Sequence, residues 1–259
     1  MSERLKLITR GDGPDLVLLP GWAMHSGIWG DVADVLAQAF RVHLVDLPGH
    51  GVNRAMELSA DLDQVTDQIL CELPTAMWLG WSLGGLVALN AAIRQPRKIQ
   101  KLVLVGATPS FSKQDNWEWG LDATARQAFS DGLENDFKET VKQFSVQTFG
   151  ANLVDESVAR LGGLALHENL PDKSTLLTGL QLLYVNNLLP DLSRCEKPTL
   201  FLGGSRDRTI LPESFKQAAS LIPGARVEII AGAGHAPFIS HEEAFLNIVL
   251  KFLKGEGEG

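Results

Sequence analysis

The stretch Gly80-Trp81-Ser82-Leu83-Gly84 constrains this chain more than any other. Before it runs Ala76-Met77-Trp78-Leu79, a short apolar segment with the composition of a buried strand. After it runs Leu86-Val87-Ala88-Leu89-Asn90-Ala91-Ala92-Ile93, which favours a helix. A G-x-S-x-G pentapeptide at a strand-to-helix turn lifts the serine oxygen clear of the backbone, where it can act as a nucleophile. Gly80 and Gly84 leave room for close backbone approach at that turn. The helix N-terminus points unpaired N–H groups at any oxyanion that forms there.

A serine hydroxyl is a weak nucleophile near neutral pH and needs a histidine base, itself oriented by a carboxylate. The chain supplies both after Ser82. The apolar run Pro198-Thr199-Leu200-Phe201-Leu202 leads into Gly203-Gly204-Ser205-Arg206-Asp207-Arg208, a loop carrying an acid. The strand-like Arg226-Val227-Glu228-Ile229-Ile230 leads into Ala231-Gly232-Ala233-Gly234-His235. Asp207 and His235 each follow a predicted strand, and ligand sites in open parallel sheets collect at such strand ends. His25, His43, His50, His167 and His241 lack that context; His241 reads as a helix-start residue. Taken alone, Asp207 also suits a solvated loop and His235 a cap, but their joint order after Ser82 favours a triad.

Such a triad needs an oxyanion hole. One donor is the backbone N–H of Leu83, the residue after the nucleophile. The other is expected from the loop after the early strand Leu16-Val17-Leu18-Leu19, where Pro20-Gly21-Trp22 follows and the N–H of Trp22 is the candidate. The Trp22 indole suits either a pocket wall or simple packing.

Strand-like and helix-like segments alternate, the pattern of an α/β fold with a mostly parallel sheet covered on both faces. Strands are expected near 4–9, 16–19, 41–45, 76–79, 101–105, 198–202 and 226–230, and helices near 27–39, 60–72, 83–95, 212–221 and 241–254. Residues 111–185 break the alternation with a helical pattern and read as a cap inserted between two parts of one core, 1–110 and 186–259. A cap over the strand ends shapes a pocket and excludes water. It carries Phe111, Trp117, Trp119, Phe129, Phe137, Phe144 and Phe149, most of them suited to packing.

The chain resembles the α/β-hydrolases over nearly its whole length. More narrowly, it resembles the carboxylesterases of the biotin pathway. The segments carrying the resemblance are Leu18-Leu19-Pro20-Gly21-Trp22, Val42-His43-Leu44-Val45-Asp46-Leu47-Pro48-Gly49, Trp78 to Ala88, and His235-Ala236-Pro237-Phe238-Ile239-Ser240-His241. The resemblance implies hydrolysis of the methyl ester of pimeloyl-[acyl-carrier protein]. Ser82 would be the nucleophile, His235 the base, Asp207 its orienting acid, and Trp22 and Leu83 the oxyanion donors. It also points to Phe144, Ser145, Val146 and Gln147 as substrate contacts, and to an acyl-carrier-protein-linked ester as the partner. Two departures stand out: Pro20-Gly21 replaces the frequent His-Gly, and Val52-Asn53-Arg54 lacks the usual hydroxyl residue. A broad short-chain esterase or C–C bond hydrolase shares the same triad, and a non-catalytic ligand receptor shares the fold.

A docking surface for a small acidic carrier should be basic. Lys138 and Lys142 share one face of a predicted helix, and Arg126 and Arg160 can extend it, yet residues 111–185 hold 6 basic and 11 acidic residues. Two lysines on one helix face equally suit plain solvation. The formal charge of −8 argues against nucleic acid as a partner. No apolar run approaches the length of a membrane span, and the mixed, charged first residues lack the apolar core of a signal peptide. The expectation is a cytoplasmic monomer needing no metal or organic cofactor. Cys71 and Cys195 have no metal or redox spacing, and Cys71 falls in a predicted helix as buried packing. The Gly255-Glu256-Gly257-Glu258-Gly259 tail has a disordered composition.

Overall fold

In the computed structural model, residues 4–149 and 170–256 are described. Their strands are β1 (Leu7–Arg10), β2 (Asp15–Leu19), β3 (Arg41–Val45), β4 (Ala76–Trp81), β5 (Ile99–Val105), β6 (Thr199–Gly204) and β7 (Arg226–Ile230). They form one sheet in the order β1-β3-β2-β4-β5-β6-β7. The β1–β3 pair is antiparallel, and the other pairs are parallel. Strands buried on both faces need apolar side chains in both directions. That is why β4, Ala-Met-Trp-Leu-Gly-Trp, reads as a continuous run and is buried at every position.

The helices are α1 (Gly30–Leu36), α2 (Leu62–Leu70), α3 (Leu83–Arg94), α4 (Ala123–Asn135), α5 (Phe137–Phe149), α6 (Lys173–Val185), α7 (Pro212–Ser220), α8 (Pro237–Ser240) and α9 (Glu242–Lys254). Two apolar layers sandwich the sheet. On one side Val17, Leu19, Trp78, Leu102 and Leu104 pack with α2 and α3 through Val65, Ile69 and Val87. On the other side the alternate residues Leu16, Leu18, Met77, Leu79, Val103 and Val105 pack with α1 and α9 through Val32, Leu36, Phe245 and Val249. Helix α3 runs through the first layer with eleven of its twelve residues buried, which accounts for its lack of a polar face. Helices α4, α5 and α6 lie in the chain between β5 and β6 and add Leu133, Val141, Leu176 and Leu180 to that layer.

Several boundaries differ from expectation for local reasons. The first strand begins at Leu7 rather than near residue 4, because Lys6 is engaged elsewhere: its N–H donates to Asn53 Oδ1 at 2.8 Å and its carbonyl accepts from Asn53 Nδ2 at 3.1 Å. The helix expected over 27–39 is split into a 3₁₀ turn, Ser26–Trp29, and α1, since Gly30 takes φ 45° at the junction. Cys71 is not buried packing. It is the C-cap residue of α2 and is exposed, because Ile69 and Leu70 occupy the inward face. Cys195 is buried, and its desolvated thiol is pushed up in pKa. No helix among the described residues is long and apolar enough to cross a membrane. Arg160, His167 and residues 257–259 of the tail lie outside the described residues.

Candidate active site

Ser82 sits between β4 and α3 with φ 53° and ψ −117°. A non-glycine residue at positive φ is strained by about 1–3 kcal/mol and persists only where its surroundings impose it. Here they do. The Ser82 N–H donates to Val105 O at 2.9 Å, and its carbonyl accepts from the N–H groups of Gly85 at 2.9 Å and Leu86 at 3.1 Å. Glycines around the serine, from its own turn and from the loop after β2, are required by close contact. A Cβ on Gly84 would lie 2.5 Å from the carbonyl oxygens of Leu19 and Pro20, and one on Gly21 would lie 3.1 Å from Ser82 Cβ.

Asp207 follows β6 and His235 follows β7. The Nδ1–H of His235 donates to Asp207 Oδ2 at 2.8 Å, and both residues are buried. The other carboxylate oxygen accepts from the N–H groups of Thr209 at 2.8 Å and Ile210 at 2.9 Å. With Nδ1 committed as donor, the lone pair of His235 lies on Nε2, which is buried and has no hydrogen-bond partner. The ring stands against Gly106, whose φ is 51° and whose Cβ, were there one, would lie 3.0 Å from Nδ1 and Cε1. Gly106 follows Val105, the residue that binds the Ser82 N–H. Ser82 and His235 are thus gathered at the same end of β5.

Leu83 opens α3 and is fully buried. A first-turn N–H has no acceptor within its own helix, and this one belongs to the residue directly after the serine. Trp22 is buried under the helices that follow β5. Its indole N–H donates to Leu176 O at 2.9 Å, and its ring meets Phe129 and Phe144 edge-on at centroid distances of 5.5 and 5.1 Å. Phe144 is therefore brought to Trp22, on the inner side of α5. Ser145 is buried with its hydroxyl donating to Val141 O at 2.9 Å. Val146 and Gln147 face outward and line a groove of about 990 Å³ with Arg206, Arg208, Gly234 and Ala236.

Other sequence candidates separate. Lys138 and Lys142 are exposed on α5, and Lys142 lies 3.5 Å from Glu139. Arg126 turns onto the ring of Tyr184, 5.8 Å from its centroid, rather than joining those lysines. Burial raises the Tyr184 phenol to about 12. His43 bonds Asp15 at 2.7 Å between β3 and β2, so its environment is structural. His50 is buried; its Nδ1–H donates to Pro48 O at 2.9 Å, and desolvation lowers its pKa. The unusual Asn53 bridges Lys6 and the Asp46 carbonyl, filling a structural part in the loop that lacks a hydroxyl residue. Gly106 escaped the sequence reading and carried only a weak signal as a glycine just after a strand, while Phe129 was named there as one aromatic among several.

The sequence pattern of the alpha/beta hydrolase family matches residues 16–248. The chain belongs to that family. This hydrolase is 34% identical over 252 residues to the pimeloyl-[acyl-carrier protein] methyl ester esterase of Nitrosospira multiformis, covering 94% of this chain and 96% of that protein. It is 38% identical over 241 residues to the enzyme of the same name from Nitrosomonas europaea, covering 92% and 95%. Among solved structures, the bromoperoxidase of Bacillus anthracis superposes with a TM-score of 0.87 at 26% identity, covering 96% of this chain and 94% of that one.

Proposed function

We propose that this hydrolase is a serine carboxylesterase that cleaves the methyl ester of pimeloyl-[acyl-carrier protein], releasing methanol and the free carboxylate. The observation that carries the chemistry is the buried Asp207–His235 pair with an unpartnered Nε2, gathered at the same strand end as the strained Ser82. The substrate follows from the names of the relatives, which match this chain over more than nine-tenths of its length.

In this reading His235 Nε2 takes the Ser82 proton as Oγ attacks the ester carbonyl. The N–H groups of Leu83 and Trp22 receive the oxyanion; removal of one such donor typically costs about 2.7–4 kcal/mol in the barrier. The tetrahedral intermediate collapses, His235 returns the proton to the departing methoxide, and methanol leaves. Water, deprotonated by the same base, then releases the acid from Ser82. Asp207 holds the tautomer and offsets the imidazolium charge. Residues 111–185, of which 150–169 lie outside the described residues, serve in this reading as a cap. Phe144 and Phe129, seated against Trp22, supply an apolar wall for the methylene chain, at about 0.8 kcal/mol per buried CH₂.

Methanol release from the methyl ester of the carrier-bound pimeloyl group tests this, with free short-chain esters in parallel. Ser82→Ala is expected to lower kcat by about 10⁶-fold, and Asp207→Asn by about 10⁴-fold. Turnover of free esters alone would keep the esterase and remove the carrier-bound substrate.

A further inference from the structure

The residue immediately before the nucleophile reaches across to the base. The indole N–H of Trp81 donates to the backbone carbonyl of His235 at 2.9 Å, in a buried setting. We infer that Trp81 is a positioning residue for His235: one two-residue step, Trp81-Ser82, both presents the nucleophile and holds the base in register with it. This rests on the triad reading above.

Three features support the inference. First, the donor is rigid. Trp81 ends β4, paired with Val105 of β5, and its ring is fully buried. It meets Phe238 edge-on at 5.1 Å, Phe149 at 6.3 Å and the imidazole itself at 5.6 Å. Second, the acceptor sits in the loop between β7 and α8, where Gly232 takes φ 83°. Neighbouring carbonyls there serve backbone donors, Ala233 O accepting from Arg206 N and Ala236 O from Ile239 N, whereas the His235 carbonyl takes a side chain from the nucleophile's own strand. Asp207 fixes the imidazole edge and Trp81 fixes the backbone behind it, so the ring is held at two points. Third, burial alone does not demand the bond. Trp29 and Trp78 are equally buried, and their indole nitrogens have no partner.

Those unpartnered indoles provide the control. Trp81→Phe keeps an aromatic ring and removes the bond. Trp29→Phe makes the same change in the same apolar cluster, 4.6 Å from Phe238, with no bond to lose. Trp81 packs in the core layer opposite Trp22, away from the wall proposed for the acyl chain. The expected result is a fall in kcat for Trp81→Phe of about 10- to 100-fold, the scale of a small misplacement of reacting groups. KM should stay within about twofold of wild type, and Trp29→Phe should leave both constants nearly unchanged. An equal loss in the two variants, an effect on KM alone, or kcat retained in Trp81→Phe would each overturn the inference. Ser82→Ala in the same assay separates failures: turnover surviving there removes the triad itself. Should Trp81→Phe not fold, the ¹⁵N-labelled wild-type protein decides. With ¹³C at the His235 carbonyl as well, a through-hydrogen-bond coupling to the Trp81 indole nitrogen is expected, and its absence would overturn the inference.

Discussion

At the scale of single residues, the buried carboxylate of the candidate site is fixed from both sides. Asp207 spends both oxygens, one on His235 and one on two backbone amides. His50 is the contrasting case, because its Nε2 is buried without a partner and its charge is disfavoured by desolvation. The sign of its effect on stability follows. In the unfolded chain this histidine takes up a proton near its ordinary pKa of about 6.5, whereas in the fold it resists protonation to lower pH. Between those limits the unfolded state binds more protons, so stability falls as pH drops below about 6.5, by up to about 1.4 kcal/mol per pH unit, and is unaffected above it. Urea unfolding at pH 7.5 and 5.5 is expected to show this loss in wild type and a smaller one in His50→Asn. The placement of Ser82, Asp207 and His235 after β4, β6 and β7 was legible in the sequence because each follows a strand-like run. The Trp81 bond was not, since it joins residues 154 positions apart and indole leaves no periodic trace of its partner.

At the scale of elements, the β4–α3 turn is a crossing of backbones rather than a packing of side chains. The carbonyls of Leu19 and Pro20 occupy the space a side chain at position 84 would need, and the Gly84 backbone crowds position 80. Gly84→Ala is therefore expected to destabilise the protein by about 3 kcal/mol, the upper range for overpacking, with thermal melting as the measurement. A substitution there that left the melting temperature unchanged would show that the turns after β2 and β4 yield more easily than their contacts imply. Strands were the most readable elements, because parallel pairing buries both faces and leaves unbroken apolar runs. Boundaries were less so. The α1 start depends on a glycine at positive φ, and the β1 start depends on Asn53, some fifty residues further along the chain. Neither is visible in a hydrophobic pattern.

At the scale of the whole molecule, burial is distributed unevenly. Helix α3 lies inside the protein along nearly its entire length, while α4 buries only Leu133 among its thirteen residues. Local opening is easiest where few apolar contacts oppose it. Amide hydrogen exchange is expected to be slowest in β2, β4, β5 and α3 and faster by orders of magnitude in α4, with mass spectrometry of peptides as the readout. Uniform protection across both groups would mean that α4 opens only with the rest. The placement of the two cysteines has a practical side. Cys71 lies at the outer end of α2 in solvent, and Cys195 is enclosed with its thiolate disfavoured. A maleimide dye at neutral pH therefore has one address on the folded chain, and a fluorophore can be attached to the native sequence, without engineering, to follow the molecule as it meets its substrate.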